Sequence, residues 1–319
     1  MKIISGTANP ILGQAIVDYL AKAKNEKNLS LVKRDITRFA DKEIYVEISD
    51  NIRGEDVFLI QPTHSPSNDH LMELLILLDA LKRSSAQRIT AVLPYYGYAR
   101  QDRKTAPRTP ITAKLVAKML EAAGADRILT MDLHAGQIQG FFEIPADNLF
   151  AIPSFGDVLQ KIYPDPSKVV VVSPDVGGVL RARNLAKRLN CDLVIIDKRR
   201  PKSGSSEVMN IIGDVKNMIC LMVDDICDSA GTLVNGAEAL VNIGGAKEVI
   251  AYISHGVFSP PAIERIFNSP LTQLVTTDSI SFTDEVKNCQ KIKKFSIAPL
   301  LGEAIYRIHN NESVSDLFT

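Results

Sequence analysis

"CLMVDDICDSAGTLVNGAEAL", residues 220–240, is the stretch that decides the fold class. It begins as an apolar run without alternation, reaches three carboxylates at Asp224, Asp225 and Asp228, and passes through Ser-Ala-Gly-Thr into a helical pattern. An unbroken apolar run marks a strand buried on both faces, as in a parallel sheet. A strand feeding a helix in this way is one β–α unit, and ligands of such folds sit beyond the carboxyl ends of the strands. A small-residue turn entering a helix is a phosphate site. Backbone N–H groups of Ser229, Ala230, Gly231 and Thr232 can point at one anion, Gly231 lets the chain come close, and the helix dipole favours negative charge. The hydroxyls of Ser229 and Thr232 add donors. Three acids beside an anion site look contradictory until the acids are given another partner. Asp224 and Asp225, at the strand end, point elsewhere and can accept hydrogen bonds from sugar hydroxyls or hold water of a Mg²⁺ shell. A phosphorylated sugar needs both kinds of partner. The plainer alternative, an N-cap at Asp228 plus solvated acids, accounts for one acid better than for three.

Outward from this stretch, short β-branched runs alternate with helical patterns. Strands are expected over 3–5, 57–61, 89–93, 127–131, 169–173, 192–196, 218–223, 248–254 and 274–277, and helices over 9–23, 67–83, 111–123, 178–189, 231–243 and 260–268. The expected class is α/β, with two similar domains, each a mainly parallel sheet flanked by helices. A chain of 319 residues exceeds what one core usually covers. Residues 57–96 and 219–256 also share one order of strand, polar loop, helix and strand. The boundary is placed within 145–155, giving domains at 1–148 and 149–299, with a late helix over about 300–319 packing back on the first. Two segments read as mobile: 198–210, rich in Ser and cations, and 99–112, basic and holding two prolines.

Lys+Arg and Asp+Glu stand at 37 each, which gives no support to a nucleic-acid tail or an anionic membrane surface as partner. Cys191, Cys220, Cys227 and Cys289 form no CxxC pair and read as small buried hydrophobes in a reducing compartment. The N-terminus is too short in its apolar part for a signal peptide, and the apolar run 71–81 carries Glu73 and Asp79, so it reads as a core helix. A cytoplasmic protein is expected.

"VDDICDSAGTL" resembles the phosphoribosyl-binding loop of type I phosphoribosyltransferases. "DLHAGQIQGFFEIPADNL", at 132–149, resembles the signature of the ribose-phosphate diphosphokinase family, and "RFADKEIYVEI", "IRGEDVFLIQ", "PYYGYARQDRK", "VVVVSPDVGGVLRARNLAKRL" and "DKRRP" match that family in order and spacing. The resemblance covers essentially the whole chain. It implies two phosphoribosyltransferase-like domains and transfer of a diphosphoryl group from Mg-ATP to the C1 hydroxyl of ribose 5-phosphate. A phosphoribosyltransferase, or a catalytically silent subunit of the same fold, stands as the alternative.

The resemblance also assigns residues. It makes His134 a ligand of the Mg²⁺ that bridges the ATP phosphates and Asp175 a second metal-linked acid. It makes Lys198 and Arg200 the main contributors to rate, on a loop that closes over the substrates. Charge alone points the same way, since Lys198, Arg199 and Arg200 can supply the cations that phosphoryl transfer requires. No G-x-x-x-x-G-K-[ST] occurs, so ATP needs another site. The family implies that Arg100 and Gln101 contact ATP and that Phe39, Asp41, Lys42 and Glu43 reach it from a neighbouring subunit. Lys42 stands where the family commonly has glycine, and Ser229 where threonine is usual. Ribose 5-phosphate is implied to meet Arg200, Asp224, Asp228, Ser229, Ala230, Gly231 and Thr232. A homo-oligomer, a hexamer, is implied, with phosphate and ADP as effectors at Arg53, Ser84, Gln137, Asp147, Asn148 and Ser313.

Overall fold

The computed structural model describes residues 1–199 and 208–318. Two units emerge: Met1–Phe150 with Ser279–Ser281 and the chain from Ser296, and Ala151–Asp278 with Phe282–Phe295.

The first unit runs β1 (Lys2–Ser5), α1 (Pro10–Ala23), β2 (Arg34–Arg38), β3 (Ile44–Ile48), β4 (Asp56–Ile60), α2 (Ser67–Arg83), β5 (Arg88–Leu93), α3 (Thr112–Ala123), β6 (Arg127–Met131) and β7 (Ala146–Leu149). Its sheet has the order β1-β4-β5-β6-β7, parallel throughout. The middle strands are apolar on both faces because helices cover both: Val57, Phe58, Leu59 and Ile60 of β4 are all buried. α2 contributes Leu71, Leu74, Leu77, Leu78 and Leu81 to the core. Its buried Glu73 is satisfied, accepting from the Thr7 N–H and Thr7 hydroxyl at 2.6 Å each and from Gln61 Nε2 at 3.0 Å. That carboxylate ties the β1–α1 turn to α2. β2 and β3 form an antiparallel hairpin outside the sheet, whose Ile36, Val46 and Ile48 pack on the core.

The second unit runs α4 (Ile152–Ile162), β8 (Val169–Ser173), α5 (Val179–Leu189), β9 (Asp192–Arg199), β10 (Val208–Ile212), β11 (Ile219–Cys227), α6 (Gly231–Asn242), β12 (Glu248–Gly256), α7 (Ala262–Asn268), β13 (Gln273–Thr277), α8 (Asp284–Asn288) and β14 (Ile292–Phe295). The sheet order is β10-β9-β8-β11-β12-β13-β14, and among the described pairs only β9–β10 is antiparallel. The chain then returns to the first unit as α9 (Ala298–His309). α9 lies on α1, where a Cβ at Gly302 would come within 2.5 Å of the Tyr19 ring. Glu303 meets Lys24 at 2.7 Å, and His309 and Arg88 both hold Asp56, at 2.8 and 2.6 Å.

Each strand and helix expected from the sequence is present with ends shifted by a few residues, except that the late helix expected over about 300–319 spans Ala298–His309. β2, β3, β7, β10, β14, α4 and α8 were not expected. The expected boundary segment holds β7 and α4 with only Phe150 and Ala151 between them, so it is no linker. α4 was hidden by Pro153 and Gly156. The proline sits in the first turn, where no N–H is required, and Gly156 lets the Arg188 side chain pass, 2.3 Å from where a Cβ would stand. Of the segment 198–210, expected to be mobile, 200–207 lies outside the described residues, while 198–199 and 208–210 are paired strand. No helix among the described residues is long and apolar enough to cross a membrane.

Candidate functional site

In the second unit the acidic stretch differs from expectation in one respect: Asp224 and Asp225 lie within β11, not after it. β8 stops pairing with β11 at Met222↔Val172, but β12 continues alongside to Cys227↔Gly256. The acids therefore stand on strand backbone that has outrun its neighbour on one side. That gap is filled by the turn after β8 and the start of α5. Ser173 donates to the Asp175 carbonyl at 2.7 Å, and Asp175 Oδ1 accepts the Gly178 N–H at 3.0 Å, bracing the turn that leads into α5. From α5, Arg181 reaches Asp224 at 3.3 Å and Asp225 at 3.5 Å.

Among the described residues, Asp175, Asp224 and Asp225 share this corner with the Arg181 guanidinium, which touches two of them. Burial, and then the neighbouring Asp225 charge, push the Asp224 carboxyl up to about 8, with Asp175 adding to the rise and Arg181 opposing it. Desolvated carboxylates in excess of their cations are a donor set that fits a hard divalent cation. Mg²⁺ is typically held by one or two carboxylates with substrate oxygens completing its shell. Among the described residues no group of three or more His, Cys, Asp or Glu is arranged to hold a metal ion by itself, so substrate oxygens would have to supply part of its shell. Arg181 is a participant the sequence reading missed. Its only signal was a lone basic residue in the first turn of α5, where the helix dipole disfavours a cation.

The turn Asp228–Ala230 leads into α6, which begins at Gly231 with no side-chain cap. The first-turn N–H groups lack the side-chain acceptor that helix starts usually have, a condition that favours an anion. Ser229 and Thr232 expose their side chains, Gly231 is half-buried and Ala230 is buried. Ala230 holds φ +62°, a demand on the turn that the sequence did not signal. A Cβ at Gly231 would stand 3.7 Å from Arg265 Nη1 and 3.9 Å from the Ser229 hydroxyl, ordinary van der Waals contact. The Ala230 N–H is directed at the buried Cys227 sulfur. Cys227 in turn has its carbonyl bound by Val257 and Phe258 N–H at 2.9 and 3.1 Å. Cys220, Cys227 and Cys289 are buried free thiols and Cys191 is half-buried.

Lys198 is the next-to-last residue of β9, its backbone opposite Met209, and Arg200 lies outside the described residues.

In the first unit, Arg100 and Gln101 follow β5 and line a cavity of about 450 Å³ with Tyr95, Tyr98, Pro66, Ser67, Asn68 and Asp69. The turn that carries them is tightly specified. Gly97 donates to the Thr63 hydroxyl at 2.7 Å, Tyr98 holds φ +64° with its hydroxyl bonded to Asn68, and Gln101 Oε1 accepts from Thr112 at 2.6 Å. α2 starts at this cavity, also with no side-chain cap. His134 is exposed just past the end of β6. Phe39, Asp41, Lys42 and Glu43 form the exposed tip of the β2–β3 hairpin. Phe39 is 55% exposed, with only an edge contact to Tyr45. Of the residues implied for effectors, Asp147 pairs with Arg127 at 2.7 Å and the buried Asn148 accepts the Leu133 N–H at 3.0 Å. Gln137 donates to Asp102 at 3.0 Å and Arg53 to Ser85 at 3.1 Å. These groups have partners within the fold.

Parallel sheets flanked by helices, with a small-residue turn and acids at the carboxyl end of one strand, define a phosphoribosyltransferase-like α/β protein. Residues 1–124 match the family model of the N-terminal domain of ribose phosphate pyrophosphokinase, and residues 199–319 match that of the phosphoribosyl synthetase-associated domain. The ribose-phosphate pyrophosphokinase of Caulobacter vibrioides is 59% identical over 319 residues, covering 100% of both chains. That of Rhizobium meliloti is 59% identical over 318 residues, again covering both. The crystal structure of phosphoribosylpyrophosphate synthetase from Mycobacterium smegmatis superposes with a TM-score of 0.89 at 38% identity, covering 97% of this chain and 99% of that one. The chain belongs to the ribose-phosphate pyrophosphokinase family.

Proposed function

We propose that the chain transfers the β,γ-diphosphoryl group of Mg-ATP to the C1 hydroxyl of ribose 5-phosphate, giving 5-phosphoribosyl 1-diphosphate and AMP. The observation that carries this reading is the uncapped first turn of α6 standing directly after the acids of β11. One element offers donors to a phosphate and the other offers acceptors to a polyol. Ser229, Ala230, Gly231 and Thr232 hold the 5-phosphate; Asp224 and Asp228 hold the ribose hydroxyls; Arg200 joins them. Arg100 and Gln101 take ATP in the cavity of the first unit, and Phe39, Asp41, Lys42 and Glu43 serve a neighbouring copy's nucleotide. His134 and Asp175 are the residues that would hold Mg²⁺. The domains are taken as 1–148 and 149–299, with the helix from about 300 belonging to the first. The enzyme works as a cytoplasmic homohexamer.

In the step itself the C1 oxygen attacks the β-phosphorus in line. The new C1–O–P linkage forms as the bond from the β-phosphorus to the oxygen bridging it to the α-phosphorus breaks, and the electron pair leaves on AMP while the hydroxyl proton is lost. Mg²⁺, when bound, neutralises the polyphosphate oxygens. Lys198 and Arg200 stabilise charge on the transferring and leaving oxygens.

Two measurements test this. AMP must form from ATP only when ribose 5-phosphate is present; a chain that instead consumes 5-phosphoribosyl 1-diphosphate with a base, or forms no AMP alone, contradicts the reading. Lys198→Ala should lose turnover by ~10³-fold with an unchanged melting temperature, and near-normal turnover in that variant removes the role.

A further inference from the structure

The Ser229–Thr232 turn raises a problem that its own residues do not solve. It holds a non-glycine residue at positive φ, Ala230 at +62°, a conformation that persists only where the surroundings over-determine it. It also contains no cation: from Asp224 to Thr232 every charged residue is acidic. A phosphate dianion placed there meets amides and hydroxyls, and three carboxylates nearby.

Both deficits are met by one side chain from another element. Arg265, on α7, donates through Nη1 to the Ser229 carbonyl at 3.0 Å. The same nitrogen lies 3.7 Å from where a Cβ of Gly231 would stand, so the guanidinium sits against the first residue of α6. α7 is itself fixed: Ala262 and Ile266 are fully buried in the core of the second unit. Arg265 also lines a groove of about 330 Å³ with Val234, Glu238, Glu264 and Asn268, so its neighbours there include two acids. A charge-assisted hydrogen bond to the carbonyl just before Ala230 fixes the peptide that the strained residue must follow. The charge sits beside the cradle without filling it.

We infer that Arg265 is a positioning residue of the ribose 5-phosphate site: it clamps the Ser229 carbonyl, keeps the turn in its anion-binding shape, and supplies the positive potential that the turn lacks. This rests on the loop assignment proposed above. The role is separable from general stability, because it predicts a defect confined to one substrate. Initial rates of AMP formation are measured for the full-length protein and for Arg265→Ala and Arg265→Lys, varying each substrate at saturation of the other. In Arg265→Ala the KM for ribose 5-phosphate should rise about tenfold or more, the scale of one lost charge-assisted hydrogen bond. The KM for ATP should stay within twofold. Arg265→Lys, which keeps the charge and one donor, should recover most of the loss. An active wild type with unchanged ribose 5-phosphate KM in Arg265→Ala, or equal rises in both KM values, overturns the inference while leaving the loop assignment standing. A wild type that forms no AMP overturns both.

Discussion

Lys42 closes the β2–β3 hairpin at φ +78°, the left-handed conformation that a family glycine adopts without cost. The tip is otherwise regular: Phe39 N–H donates to the Glu43 carbonyl at 2.9 Å, Lys42 N–H to the Phe39 carbonyl at 3.0 Å, and Arg38 caps the Lys42 carbonyl at 3.2 Å. The lysine therefore keeps the glycine's geometry and bears the strain. Lys42→Gly should raise stability by ~1 kcal/mol, seen as a higher melting temperature; an unchanged or lower one contradicts the strain. A second residue-scale consequence concerns acid. Burial, with a smaller contribution from His70, lowers His64 to about 4, and its Nδ1 is buried without a hydrogen-bond partner. A histidine depressed from its usual value near 6.5 binds fewer protons folded than unfolded. Its stability contribution is complete above pH ~6.5 and is lost as pH falls toward 4, up to about 3 kcal/mol. His64→Gln should flatten the melting temperature between pH 6.5 and 4.5 relative to wild type. At this scale the sequence was half legible. It marked Ser229–Thr232 as a turn and Gly231 as a point of close approach, but nothing marked Ala230 for positive φ, because alanine does not advertise that conformation. Arg181 and Arg265 were not picked out, since each reaches the site from another helix and contacts distant in sequence leave no local pattern.

Elements were legible where burial imposes a pattern. Strands such as β8 and β11 are enclosed on both faces and read as apolar runs. β2 and β14 carry too many exposed residues to do so, and β10 is the antiparallel end strand of its sheet. β11 was cut short at its acids because charge normally ends a strand, whereas β12 holds the backbone to Cys227 and displays those acids in fixed register. The comparable element of the first unit is the turn after β5. A Cβ on Gly97 would stand 2.4 Å from the Thr63 carbonyl oxygen, backbone that cannot yield. Gly97→Ala should displace Arg100 and Gln101 and raise the KM for ATP roughly tenfold, the effect of 1–3 kcal/mol of overpacking. Ribose 5-phosphate affinity, a property of the second unit, should not move. A shift in the latter with none in the former contradicts the division of substrates between the units.

For the molecule as a whole, two α/β units carry complementary polarity: an uncapped helix start and an arginine cavity in one, and acids followed by an uncapped helix start in the other. Fold class was legible at this scale because periodicity and strand–helix order survive without any knowledge of contacts. A late helix packing back on the first unit was expected, but not its partners Tyr19 and Asp56, which lie far away in sequence. The central claim is that the turn after β11 holds ribose 5-phosphate. The direct test is calorimetric titration of ribose 5-phosphate into the full chain with Mg²⁺ and α,β-methylene ATP, whose bridging carbon blocks transfer, and the same titration with Asp228→Ala. Saturable binding by the wild type, weakened about tenfold or more in the variant, is the predicted result; equal affinity in the two proteins would contradict it.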